Sequence, residues 1–510
     1  MTVAHKGLSD YTQEEVERFR ARGIDGAMDI LLGMPGRPAY VGKTSDSREV
    51  AIEMMVSYLK RLRMDISGLS IIHVAGTKGK GSTCAFTESI LRAHGAKTGM
   101  FTSPHLIHPN ERFRINGKPI SDEIFLTNFW AVWDGLSATM NEAQGFPPIA
   151  NFFRFFTLMA LRMFQEERVD VVILEVGLGG RLDATNVVEK PVVCGITTLD
   201  LDHTRVLGDT LDKIAREKAG IMKSNVPVFT IAQPEIAANM LAKCSIEHNA
   251  PLVVVPPLSD FNISAHDLKH SLGMHGEYQR VNAALAIVLA STWLGAKHGT
   301  PLPPFNAIIT PTILEGLKLA FWPGRSQTVV DPLSSTIFHV DGAHTPLSIE
   351  CCAQWFESCC EATPTQRRIF IFNCHHERDV VTLFLPLLKL HFHHVVFCPS
   401  RSCRPSIVKI PSVEEALLKA NLDIAGLPSD VFNTDAFPPQ DDRMYWQFVC
   451  EKTWTILNQL HGFPTATSIF PSVEKTLEWI RETAPQDTKV LVTGSLYNVG
   501  DTLSALEWKE

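Results

Sequence analysis

The sequence predicts an α/β protein with mostly parallel sheets, divided into two large domains. Three observations carry that expectation. Short β-branched runs alternate with amphipathic stretches throughout the chain, the pattern left by strands joined through crossover helices. Near residue 75 an apolar strand feeds a glycine-rich turn and then a helix. A length of 510 residues also exceeds what a single hydrophobic core usually organises.

Strands are expected at Ile71 to Ala75, Val169 to Val176, Val192 to Thr197, Val226 to Ile231, Ile337 to Val340, Arg368 to Phe372, Val395 to Cys398 and Lys489 to Thr493. Helices are expected at Ser82 to His94, Phe153 to Glu167, Thr210 to Ala219, Val281 to Leu294 and Pro346 to Cys360. Pro301-Leu302-Pro303-Pro304 and then Trp322-Pro323-Gly324-Arg325 interrupt this series before a fresh strand begins. Proline and glycine break regular structure there, which divides the chain into domains 1–325 and 326–510. Paired prolines and two aspartates make Ala436 to Asp442 a surface loop.

Composition excludes several classes. With 45% hydrophobic and 20% charged residues the chain is globular rather than disordered. No apolar run reaches the roughly 18 residues of a membrane span. Asp10, Glu14, Glu15 and Glu17 leave the N-terminus unlike a secretory signal or transit peptide, so a cytoplasmic protein is the simplest reading. A net charge of −8 argues against nucleic-acid binding, while local basic clusters can still attract a small anion. Eleven cysteines without regular spacing fit reduced thiols. Cys351-Cys352 and Cys359-Cys360 match no zinc spacing and are expected to be buried thiols. His391-Phe392-His393-His394 reads as a strand entry with exposed imidazoles.

The strongest local signal is Ile71-Ile72-His73-Val74-Ala75-Gly76-Thr77-Lys78-Gly79-Lys80-Gly81-Ser82-Thr83. Glycines let the backbone wrap around phosphate oxygens, with N–H groups and a helix N-terminus facing the charge. Lys80 would reach the β- and γ-phosphates. The strict Walker pattern is not met, since Val74 stands where its first glycine belongs and Gly81 follows the Gly-Lys pair.

This loop, together with Thr102-Ser103-Pro104-His105-Leu106 and Glu111-Arg112-Phe113-Arg114-Ile115-Asn116-Gly117, resembles folylpolyglutamate synthases, relatives of the Mur ligases. Further matches follow in family order to about residue 500. They include Phe153-Arg154-Phe155-Phe156-Thr157, Glu175-Val176-Gly177-Leu178-Gly179-Gly180, Asp202-His203-Thr204, Glu217-Lys218-Ala219-Gly220-Ile221 and Gln279-Arg280-Val281-Asn282-Ala283. Later ones are Trp322-Pro323-Gly324-Arg325, Asp341-Gly342-Ala343-His344 and Val492-Thr493-Gly494-Ser495-Leu496.

The resemblance implies an N-terminal P-loop ATPase domain of Mur-ligase type and a smaller Rossmann-like C-terminal domain, with the active site in the cleft between them. It implies ATP and Mg2+ as cofactors, with a monovalent cation (K+) as a further candidate. Reduced folate and L-glutamate would be the substrates, and a monomer is expected. The reaction would activate a carboxylate as an acyl phosphate and couple it to the amino group of glutamate.

By the same resemblance, Gly76, Thr77, Lys78, Gly79, Lys80, Gly81 and Ser82 would cradle the nucleotide, with Gln279, Asn282, Arg325 and Asp341 as further contacts. Ser103, Glu175 and His203 would hold magnesium. Lys218 occupies the position of a carbamylated lysine. Lys80, Lys218 and His344 would act in catalysis, Arg112 and Ser495 in substrate binding, with His344 and Ser495 near the incoming glutamate.

Some positions depart from the family. Asn110 stands where an arginine is usual, Asp200 where a small residue is common, and Arg181-Leu182-Asp183-Ala184-Thr185-Asn186 looks bacterial. An unusual run precedes the pair Arg378-Asp379 in Asn373-Cys374-His375-His376-Glu377-Arg378-Asp379. Three alternatives therefore stay open: a paralogue using a non-folate acid, a bifunctional enzyme that also makes dihydrofolate, and an inactive nucleotide-binding regulator. A mitochondrial form is compatible with the sequence.

Overall fold

Continuously apolar strands such as Ile71–Ala75 suit a parallel sheet whose two faces are both covered by helices, and all five residues of that strand are buried. The computed structural model describes residues 11–33, 50–143, 145–360, 366–401, 409–422, 432–462 and 465–510; Asp10 lies outside them. Chain contacts divide it into two units. The first runs to Gly273 and resumes over Gln279–Phe321, and the second comprises Met274–Tyr278 and Trp322–Glu510.

The first unit holds β1 (Ile71–Ala75), β2 (Thr98–Phe101), β3 (Phe113–Ile115), β4 (Lys118–Pro119), β5 (Val171–Glu175), β6 (Val193–Ile196), β7 (Val228–Thr230) and β8 (Leu252–Val254). They form one sheet in the order β4-β3-β2-β5-β1-β6-β7-β8. The six strands from β2 to β8 in that order are parallel, and β3 and β4 extend the edge antiparallel. From β1 the chain passes over β5 to reach β2, and from β5 it passes over β1 to reach β6. The carboxyl ends of β1, β5 and β6 therefore surround a topological switch point, where open α/β sheets bind ligands.

Helix Lys80–Ala93 packs on helix Pro311–Leu319 at very close range. A Cβ on Gly316 would fall against the Ile90 backbone, and Ser89 Oγ donates to the Gly316 carbonyl at 2.7 Å. On the β2 side an aromatic core gathers Phe101, Phe113, Phe125, Phe129, Trp133, Phe155 and Phe156. Helix Phe152–Glu166 supplies part of it, with Asn151 capping its first turn.

The second unit carries β9 (Gln327–Val330), β10 (Ile337–Val340), β11 (Arg368–Phe372), β12 (His394–Phe397), β13 (Ala466–Ile469) and β14 (Lys489–Thr493). Their order is β13-β12-β11-β14-β10-β9, parallel except for β9. Its core includes Phe356, Phe370, Phe384, Phe397 and Trp454. Cys352 and Cys360 are buried in helix Pro346–Cys360, while Cys351 and Cys359 are partly exposed. β12 starts at His394, whose Nε2 meets Ser468 Oγ at 2.9 Å; His393 Nδ1 accepts the Arg368 N–H.

Candidate active site

The glycine turn after β1 bends where only glycine fits. Gly76 has φ +149°, and a Cβ there would collide with Thr197 Oγ1; Gly79 has φ +83°, and a Cβ would collide with Asn282 Oδ1. Gly79 precedes helix Lys80–Ala93, and no side chain caps the helix start. The first N–H groups of that helix, with its positive dipole end, are thereby presented to an anion.

Two neighbouring segments brace this loop. The N–H groups of Thr77 and Lys78 donate to the Thr198 carbonyl at 2.9 and 3.1 Å. Thr77 Oγ1 donates to the Asp200 carbonyl at 3.2 Å and accepts the Asp200 N–H at 3.1 Å. From helix Glu277–His298, Gln279 Nε2 donates to Ser82 Oγ at 3.3 Å, and Asn282 Nδ2 donates to Gln279 Oε1 at 2.9 Å. The structure thus brings Gln279 and Asn282 to Gly79 and Ser82.

Three lysines meet here. Lys80 Nζ lies 3.5 Å from the Thr77 carbonyl and 4.0 Å from Glu175 Oε1. Lys78 Nζ pairs with Asp202 Oδ2 at 3.0 Å. Lys218, on helix Leu211–Ala219, is buried and donates to the Gly76 carbonyl at 2.7 Å. Burial, reinforced by the charge of Lys80, lowers the Lys218 pKa to about 7; removing an ammonium from water disfavours its charged form.

Glu175 ends β5, buried, and its Oε2 accepts the Ser103 N–H at 2.9 Å. His203 sits on the segment after β6 with φ +51°, and its N–H donates to Asp202 Oδ1 at 2.9 Å. Two of the three expected magnesium ligands, Ser103 and Glu175, are in direct contact. Among the described residues no cluster of three His, Cys, Asp or Glu side chains is arranged to hold a metal.

Arg112 is buried. Its Nε donates to His105 Nδ1 at 2.9 Å, and its guanidinium carbon lies 5.2 and 5.7 Å from the ring centroids of Phe152 and Phe156. Burial and the adjacent Arg112 charge lower the His105 pKa to about 3. Asn110 has its own work: its amide donates to the Ile120 carbonyl and to Asp122 Oδ1. Asp200 Oδ1 accepts the Leu201 N–H. In the bacterial-looking segment, Asp183 accepts from Leu178 N–H and from Thr185 N–H and hydroxyl.

In the second unit the turns after β10 and β14 lie side by side. Gly494 N–H donates to the Ala343 carbonyl at 2.9 Å. Asp341 Oδ2 accepts the Ser326 N–H at 2.7 Å and the Tyr278 hydroxyl at 3.2 Å, while its Oδ1 accepts the Ala343 N–H at 2.9 Å. Burial raises the pKa of this carboxyl, although the Arg325 charge opposes the shift. His344 Nδ1 lies 2.8 Å from the Gly342 carbonyl; a carbonyl only accepts, so Nδ1 carries the proton. Ser495 caps helix Leu496–Ala505. His344 and Ser495 therefore share the carboxyl ends of two adjacent strands.

Sequence reasoning assigned no role to Asp202, His105 or Tyr278. The adjacency of Asp202 to His203 is the available signal for the first; His105 lies only seven residues before its partner Arg112, whereas the Tyr278 contact with Asp341 spans 63 residues.

A phosphate-binding loop at the switch point of a parallel sheet, gathering lysines and a buried carboxylate, defines the class: a P-loop-like α/β nucleotide-binding protein. No family model matches the chain. It is 39% identical over 503 residues to folylpolyglutamate synthase of Arabidopsis thaliana, covering 88% of this chain and 83% of that one. The mitochondrial folylpolyglutamate synthase of Homo sapiens is 39% identical over 423 residues, covering 78% and 71%. The structure of E. coli FolC in complex with DHPP and ADP matches with TM-score 0.61 and 26% identity over 90% of this chain and 92% of that one. The chain belongs to the folylpolyglutamate synthase family.

Proposed function

We propose that this protein is an ATP-dependent ligase that adds L-glutamate to the γ-carboxylate of a reduced folate or its polyglutamate, releasing ADP and phosphate. The observation that carries the reading is the braced phosphate loop, with Lys80, Lys218 and Glu175 gathered on it, in a chain of this family. A carboxylate oxygen attacks the γ-phosphorus and ADP leaves. The glutamate nitrogen then attacks the acyl carbon of the acyl phosphate and gives up a proton. Phosphate departs carrying one former carboxylate oxygen.

Lys80 and the exposed N–H groups of the helix start stabilise charge on the transferred phosphoryl group. Gln279 and Asn282 orient the nucleotide at the loop, and the nucleotide roles read for Arg325 and Asp341 belong to the same proposal. Arg112 serves the anionic acid substrate. His344 and Ser495 receive glutamate. A Lys218 pKa near 7 leaves much of the amine neutral at physiological pH, the form that adds carbon dioxide. A carbamyl group there would replace an ammonium with an anion.

Magnesium favours oxygen and is commonly held by one or two carboxylates plus substrate phosphates. The buried Glu175 carboxylate beside Ser103 suits that donor set, and Ser103, Glu175 and His203 would hold the ion. When bound, it would screen the phosphate charges and polarise the γ-phosphoryl group. No residue is assigned to K+. The cytoplasmic location and monomeric state are parts of the proposal.

The test is ADP release by purified protein with magnesium-ATP and L-glutamate, with and without tetrahydrofolate. Folate-dependent release with a product heavier by one glutamyl unit supports the reading. Turnover only with another carboxylic acid moves the assignment to the paralogue.

A further inference from the structure

Lys78 lies in the glycine loop, where its charge is expected to face phosphate, yet the structure commits it to Asp202. The pair is close, at 3.0 Å, and little exposed, with 19% and 8% of the two side chains accessible. The other Asp202 oxygen accepts the N–H of His203, whose backbone is left-handed. One carboxylate thus ties the glycine loop to the residue expected to reach the metal. The Thr77–Asp200 and Thr77–Thr198 bonds align the same two segments but involve no charge.

We infer that Asp202 is a positioning residue for the magnesium–nucleotide site, acting through Lys78 and His203. The inference rests on the nucleotide reading above. With Asp202 in place, Lys78 is drawn toward the His203 segment, leaving the helix N-terminus and Lys80 to meet the phosphates, and the His203 backbone is held in a left-handed conformation that is strained when unsupported. Without the carboxylate, Lys78 swings free and the His203 turn relaxes.

Titration calorimetry measures ADP affinity in excess magnesium for wild type, Asp202→Asn, Lys78→Met and the double variant, with ATP KM and kcat followed on the same preparations. Each single variant is expected to bind ADP about tenfold more weakly, and the double variant no more weakly than the worse single, because contacting groups couple. ATP KM rises by a larger factor than kcat falls, and Asp202→Glu, which keeps the charge, recovers most of the affinity. Single losses that multiply in the double variant overturn the inference, as does wild-type affinity accompanied only by a lower melting temperature. If Asp202→Asn fails to fold, Lys78→Met carries the test, and unchanged ADP affinity there overturns it. A wild type that binds no ADP removes the nucleotide reading itself, and this inference with it.

Discussion

The Lys218 amine donates to the Gly76 carbonyl at 2.7 Å, so a lysine of helix Leu211–Ala219 ends on the first glycine of the phosphate loop. Burial and then Lys80 bring its pKa to about 7, against about 10.4 in an unfolded chain. Below the folded value the lysine is protonated in both states. Between the two values the unfolded chain binds the extra proton, so the folded state gains stability as pH rises. Urea midpoints of wild type and Lys218→Met, compared from about pH 7 to about pH 10, should shift progressively in favour of the wild type. A difference flat with pH contradicts the depressed pKa.

Glu175→Gln keeps an oxygen to accept the Ser103 N–H but removes the charge. The expected result is a fall in kcat of about a hundredfold or more with an unchanged melting temperature. Calorimetry should also show ADP binding that no longer responds to magnesium. Retained magnesium dependence would place the metal elsewhere.

Gly79→Ala puts a Cβ into a φ of +83° and against Asn282 Oδ1. Positive φ alone costs a non-glycine residue of order 1 kcal/mol, and Asn282 must move as well. The variant should lose about 1–3 kcal/mol of stability and bind ADP measurably more weakly, read by chemical denaturation and calorimetry.

In the second unit, Arg481 makes two bonds to the fully buried Asp331, at 2.9 and 3.0 Å. Burial would raise this carboxyl, but the Arg481 bonds and the donors of Ser334 and Leu333 outweigh it and hold the pKa below its usual value. Arg481→Ala leaves a buried carboxylate without its partner, at a cost of about 3 kcal/mol, with turnover per folded molecule unchanged. The depressed pKa means that the pair's contribution is present above the unfolded value, near 4, and is lost as pH falls through the folded one. Wild type and Arg481→Ala should therefore converge in stability on acidification.

Much of the scaffold was legible because its strands are short apolar runs. Ile71–Ala75, Ile337–Val340, Arg368–Phe372 and Lys489–Thr493 form where expected, and helix Pro346–Cys360 has the expected ends. β3 and β4 escaped notice because Arg114, Lys118 and Pro119 disguise an antiparallel edge. Helix Glu277–His298 begins four residues before the expected Val281, so that Gln279 lies within it. Local motifs pointed to Lys80, Glu175 and Lys218, which the fold does gather. They could not reveal how Lys78 is used, because its partner Asp202 lies 124 residues away and the pairing depends on β1 and β6 being neighbours. The Asn110 departure was legible as a missing cation, but its bonds to Ile120 and Asp122 emerge only once β3 and β4 turn back on each other.

Under the proposed function, the site activates the folate γ-carboxylate by phosphoryl transfer. The most direct measurement supplies tetrahydrofolate labelled with oxygen-18 in that carboxylate, together with magnesium-ATP and L-glutamate, and follows the label by mass spectrometry. Acyl-phosphate chemistry puts one labelled oxygen in the released phosphate for each amide formed. Amide formation with unlabelled phosphate, or ATP hydrolysis without amide, would contradict it.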